Sequence, residues 1–212
     1  MDPRLYLLLI LLMSIVFHEY AHGWMALRSG DPTAKNAGRL TLNPIPHLDP
    51  VGSIFLPLML VISGSPILFG WAKPVPVNPN NFRNPGFDNV KVSGAGPMSN
   101  ILLASTFTIL AIVFANNNTI FAFCRLGIQI NVFLAVFNLI PLAPLDGSHV
   151  LEFYVPNRYK STYHKFQAFG PAILMIIVLS GFLLPFNIFW LIISPPYNFL
   201  VNVFFDIVEL FI

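Results

Sequence analysis

Residues 5 to 24 read LYLLLILLMSIVFHEYAHGW, and this run decides the fold. Extended to residue 27 it stays compatible with one helix. At a 1.5 Å rise per residue it covers about 34 Å, enough to cross the hydrocarbon layer of a bilayer. Arg4 ahead of an apolar core gives the run the look of a secretory leader. It outlasts a leader's core, however, and no small-x-small cleavage site follows, so a retained spanning helix is expected. Inside it sit His18, Glu19 and His22. A carboxylate near mid-bilayer costs about 2.5 to 3.5 kcal/mol on insertion scales, so its presence asks for a chemical reason.

The rest of the chain agrees with a membrane setting. Of its 212 residues 56% are hydrophobic and 9% charged, with a mean hydropathy of +0.72, against about a quarter charged in soluble domains. A net charge of +2, without a basic block, excludes nucleic acid as a partner. Cys124 is the single cysteine, so neither a disulfide framework nor a cysteine-rich metal site is possible. Further apolar runs lie at about 51–69, 97–115, 119–142, 167–186 and 188–211, separated by polar, proline-rich connectors. Within the connectors GRLTLNP (38–44) and WAKPVPVNP (71–79) alternate as short β-strands do. Pro74 and Pro76 would confine the second to a sheet edge. The expectation is a polytopic α-helical membrane protein with five or six transmembrane helices and those two strands, in one domain over 1–212. Its core is 1–155, with additional helices over 166–212.

In a helix His18 and His22 lie within about 40° of each other on one face, with Glu19 beside them. The pattern H-E-x-x-H suits two imidazoles on one zinc ion and a neighbouring carboxylate as general base. A catalytic zinc needs a third protein ligand and an open position for water. Asp146 is the candidate, in FNLIPLAPLDG (137–147), where Pro141 and Pro144 break an apolar helix and Gly147 frees the backbone. On the residues alone, an ordinary Asp-Gly turn at a membrane surface explains Asp146 as well. Asn138 and then Asn100 are candidates to stabilise a developing oxyanion, or else interhelical hydrogen-bonding amides. His47 and Asp49, in NPIPHLDPVG (43–52), either approach the metal or steady a loop. His149 and His164 fall on a polar connector and are expected to be solvated.

HEYAH and NLIPLAPLDG together resemble the site-2 protease family of intramembrane zinc metalloproteases, and GAGPMSN (94–100), NPIPHLDPVG and GWAKPVPVNPNNFRNP (70–85) extend the likeness to about residue 155. The compact prokaryotic members, without PDZ or CBS modules, are the most similar. The resemblance implies one catalytic Zn2+ on His18, His22 and Asp146, with Glu19 as base. It also implies substrates that are single-span membrane proteins already trimmed by another protease. Oligomeric state is not readable. A polytopic metal-ion transporter or channel using the same residues as an ion site is the competing function, since ionisable groups in a membrane also mark ion paths.

Parity of crossings sharpens the topology. For His18 and Asp146 to meet, their helices must run the same way, so the segment 51–69 must enter and return on one side. Its Pro57, Gly64 and Pro66 suit a re-entrant element. Nine of the eleven Lys and Arg residues then fall on the side of the site, with Arg4 and Arg125 opposite. The positive-inside rule makes that side cytoplasmic in a prokaryotic cell membrane. The strands at 38–44 and 71–79 would clamp an unwound substrate by strand addition.

Overall fold

The computed structural model describes residues 3–63, 70–183, 185 and 187–212. Nine α-helices are found among them: α1 (Pro3–Arg28), α2 (Thr33–Asn36), α3 (Leu56–Ile62), α4 (Pro85–Val113), α5 (Asn118–Asn138), α6 (Asp146–Tyr154), α7 (Lys160–Ala168), α8 (Gly170–Leu183) and α9 (Ile188–Phe211). α1, α4, α5 and α9 are each long and apolar enough to cross a membrane. The stretches 157–168 and 170–181, bent by 50° where they join, make a fifth crossing if counted as one span.

α4 lies at the centre, packed against α1, α5, α6 and α9. Its contacts with α1 and α5 form the apolar core around Ile10, Ala104, Phe107, Ala111, Cys124 and Ile128. Small residues such as Ala104 and Ala111 let backbones approach, the usual means of association where lipid removes the hydrophobic drive between helices. The long helices also start on sequence signals. Pro85 opens α4, where its missing N–H is no loss. The Asn117 side chain accepts from Thr119 N and Ile120 N at the start of α5, and that of Asn187 from Trp190 N at the start of α9.

Several boundaries depart from the hydropathy reading. The apolar run 97–115 is only the second part of α4, whose first three turns, PGFDNVKVSGAG, are too polar to register as membrane helix. The run 119–142 is α5, ending at Asn138, and 167–186 is divided at Phe169 between α7 and α8. Of the run 51–69, residues 50–62 form a π-helical turn followed by α3. These thirteen residues extend about 20 Å. Residues 64–69, with Gly64 and Pro66, lie outside the described residues. The two flanks of the segment meet: Trp71 N donates to Gly52 O at 3.2 Å and Ser53 Oγ to Trp71 O at 2.7 Å. A Cβ on Gly52 would fall 2.3 Å from the Trp71 indole, so glycine is required for this closure.

The two expected β-strands are not found: neither 38–44 nor 71–79 forms a ladder. The reason lies in the donors. Residues 71–78 are irregular, and their N–H groups go elsewhere: Lys73 N to His47 O (2.9 Å), Val75 N to Glu19 Oε2 (2.7 Å) and Asn78 N to Asp31 Oδ2 (2.7 Å). Pro74 and Pro76 have no N–H to give. With 73 and 75 turned inward and proline at 74 and 76, the outer edge of this strap lacks the donors a paired strand needs.

Candidate metal centre and base

His18 and His22 are buried on α1, 8% and 9% exposed, and their second nitrogens are fixed by neighbours. The Asn100 amide nitrogen, on α4, is committed to Asn131 Oδ1 (3.1 Å) and Ser14 O (3.4 Å). Its oxygen therefore faces His18 Nδ1 at 2.7 Å. His22 Nδ1 lies 2.7 Å from Val92 O. Both partners are acceptors, so each Nδ1 carries the proton and each Nε2 presents a lone pair.

Asp146 arrives from the other half of the chain. α5 stops at Asn138, a tight turn containing a cis Ala143–Pro144 bond follows, and Asp146 is the first residue of α6. α7 braces the turn: Gln167 Oε1 accepts from Ala143 N at 2.6 Å and Gln167 Nε2 donates to Pro141 O at 3.2 Å. The helices beyond residue 155 thus hold the aspartate in place. Asp146 Oδ2 lies 3.2 Å from His18 Nε2 and 3.3 Å from His22 Nε2, and the two Nε2 atoms are 3.0 Å apart.

Three lone-pair-bearing atoms thus form a near-equilateral triangle with no proton to share. Such a cluster repels itself unless a cation sits within reach of all three. Ligands about 2.0 to 2.2 Å from a tetrahedral zinc ion stand about 3.3 to 3.6 Å from one another, a few tenths of an ångström wider than this triangle. Asp146 Oδ2 is buried and has no hydrogen-bond donor, and among the described residues this is the one group of three that could hold a metal ion. α4 leaves room beside it. A Cβ on Gly96 would lie 2.4 Å from His22 Nε2 and 2.6 Å from His18 Nε2, so the missing side chain is what keeps the ligand atoms clear. The residues fit the metal.

Glu19 is half-buried beside the pair, with Oε2 held by the Val75 N–H. Asn138 ends α5, and its amide donates back to Leu134 O at 2.9 Å. His47 and Asp49 are not in the ligand cluster. Buried His47 bonds Thr41 O through Nε2 at 2.8 Å, while Asp49 Oδ1 accepts from Val51 N and Gly52 N and caps the π-helical turn. Both steady the loop that precedes α3. His149 and His164 are exposed and face Glu152, at 3.8 and 3.4 Å.

Gly96 and the Val75 N–H were not singled out from the sequence. Gly96 lies within GAGPMSN, where nothing but its place in a motif marked it. A backbone N–H carries no residue signal at all.

Comparison with known proteins gives one family. Residues 114–184 match Peptidase family M50. The chain is 39% identical over 184 residues to "Putative zinc metalloprotease YwhC" of Bacillus subtilis (strain 168), covering 82% of this chain and 80% of that protein. It is 29% identical over 173 residues to "Putative zinc metalloprotease Rip2" of Mycolicibacterium smegmatis, covering 80% of this chain. The chain spans 64% of that second relative's length. Over 65 residues it is 40% identical to "Putative zinc metalloprotease MJ0611" of Methanocaldococcus jannaschii, 31% of this chain and 34% of that protein. No solved structure matches.

Proposed function

The chain belongs to peptidase family M50 and is a metalloprotease, and from that premise we propose that it hydrolyses peptide bonds within the transmembrane segments of membrane-anchored proteins, using one zinc ion on His18, His22 and Asp146. The observation that carries this is the convergence of two proton-free Nε2 atoms and a donorless carboxylate oxygen at 3.0 to 3.3 Å. Bound there, zinc supplies a Lewis acid that polarises a carbonyl and brings the pKa of water down toward about 7.

The remaining work falls to side chains of this protein. Glu19 accepts the proton of the attacking water and returns it to the leaving amine. The Val75 N–H holds one carboxylate oxygen of Glu19, leaving the other for that proton. Asn100 acts behind His18, fixing its tautomer and ring plane, a task that outer partners of metal-bound imidazoles commonly perform. The geometry therefore favours Asn138 over Asn100 as oxyanion donor, because Asn138 has a second amide N–H beyond the one given to Leu134.

The substrates of this reading are single-span membrane proteins, already shortened by another protease, whose helix must unwind before its carbonyl is reachable. The return of the chain from Gly52 to Trp71 favours a re-entrant segment there. With that, α1, α4, α5, the bent pair and α9 make five crossings, and the charge distribution puts the site on the cytoplasmic side of a prokaryotic cell membrane.

The competing function, ion transport, shares the ligands but has no use for Glu19 as a base. Cleavage of a transmembrane substrate in detergent by wild type and by Glu19→Gln, with bound zinc measured in both, separates the two. A loss of about 10²- to 10⁴-fold with zinc retained is expected of a general base. Equal cleavage by both proteins overturns the mechanism.

A further inference from the structure

The face of α1 that carries Glu19 continues away from the metal centre as the wall of a cavity. At 100° per residue, Leu12, Ile15 and Val16 point within about 60° of Glu19. With Gly52, Trp71 and Ala72 opposite, they enclose about 110 Å³. The lining is mostly aliphatic and aromatic, with His47 and Ser53 as its polar members, and the Trp71 backbone is held by the two hydrogen bonds to Gly52 and Ser53 already described.

Position decides what such a cavity takes. Ile15 and Val16 precede Glu19 by four and three residues, about 5 to 6 Å along the helix. The strap passes from Ala72 at the cavity wall to Val75 at the Glu19 carboxylate, no more than about 10 Å away at 3.3 Å per extended residue. Cavity and base therefore share both walls. An extended chain whose peptide bond lies at Glu19 advances about 3.3 Å per residue, so a side chain two or three residues further on reaches the cavity. The volume is several times the ~30 Å³ that one water occupies and near the ~150 Å³ of dry cavities that take a benzene ring, so one side chain fills it.

We propose that this cavity is the pocket that selects a residue within three positions of the scissile bond, and that it takes an apolar side chain of leucine to phenylalanine size. The inference rests on Glu19 as the base, which fixes where the scissile bond lies. Its consequence is that cleavage sites are chosen by one large apolar residue within an otherwise uniform membrane segment.

The test uses the full chain in detergent with zinc and a library of lysine-flanked single-span peptides with cores of about 22 residues, the cuts being mapped by mass spectrometry. At one position within three residues of the cut, leucine or phenylalanine should exceed alanine or aspartate by at least about tenfold in kcat/KM, the scale on which apolar pockets discriminate. Leu12→Phe and Ile15→Phe fill the cavity. Each should lower the leucine-to-alanine ratio of kcat/KM about tenfold, with zinc content unchanged. Trp71→Ala enlarges the pocket and should raise the preference for tryptophan over leucine, which provides a second reading should a filling variant fail to fold. A flat profile at every flanking position, or a leucine-to-alanine ratio unaltered in the variants, overturns the pocket. If Glu19→Gln still cleaves, the reading of the base fails instead, whatever the ratios. No cleavage by wild type overturns both.

Discussion

At the scale of single residues, the candidate metal centre depends on an absence. Gly96 sits in the interior of α4, where alanine ordinarily stabilises a helix by about 0.5 to 1 kcal/mol. Here an added methyl would stand 2.4 Å from one ligand atom and 2.6 Å from the other. Gly96→Ala is therefore expected to leave helix content intact while lowering zinc affinity by at least about tenfold, measured by competition with a chelator. Unchanged affinity would show that the ligands can shift without loss. Helical period alone put His18 and His22 on one face of α1 with Glu19 beside them, and the structure brings that pair to Asp146. Asp146 needed a second motif, since an Asp-Gly step has a plain turn reading. The protons on His18 and His22 were not legible. They depend on Asn100, 82 positions from His18, and on a backbone carbonyl, neither of which local pattern reveals.

At the scale of elements, the strap over residues 71–78 shows what alternation can and cannot predict. The alternation over 71–79 reads as a β-strand and none forms there: a strand is defined by its partner, and here side chains take that place. Arg39 Nη2 donates to Lys73 O at 2.7 Å and to Pro74 O at 3.4 Å. Buried Asp31 accepts from Thr33 N (3.1 Å), the Thr33 hydroxyl, Asn78 N (2.7 Å) and Asn81 Nδ2 (2.8 Å). Burial alone would raise the Asp31 carboxyl, and these four donors outweigh it, holding the group below the usual carboxylate range. With the folded value depressed, the stabilisation is complete above the unfolded value of about 3.9 and is lost as pH falls through the folded one. Asp31→Asn should thus cost about 1 to 3 kcal/mol at neutral pH. The gap in thermal midpoint between the two proteins should narrow below about pH 4. A gap that is constant with pH would remove the charge from the account. The first three turns of α4 escaped the hydropathy reading for a similar reason: they belong to the helix by packing beside the site, not by lipid exposure.

At the scale of the whole molecule, crossing parity was the strongest constraint the sequence offered, and it ties the path of residues 51–69 to the meeting of His18 with Asp146. Single cysteines introduced at Asn36, Asn80 and Asn157 in a Cys124→Ser background should all react with an impermeant reagent from one side of oriented vesicles. One at Asn117 should react from the other. Labelling of Asn36 and Asn80 from opposite sides would mean that the intervening segment crosses. The candidate centre also joins distant parts of the chain, since its three residues come from α1 and from the start of α6. Stripping zinc should therefore lower the thermal midpoint of wild type and of Glu19→Gln alike, by an amount set by free zinc over its dissociation constant and reaching about 2.7 kcal/mol at a hundredfold excess. No such shift would mean the bundle holds without the ion. The ion that arms the protease is then also a rivet between its first helix and its sixth. A copy made in a zinc-starved cell would be idle and loosened at once, and so exposed to the cell's own quality-control proteases.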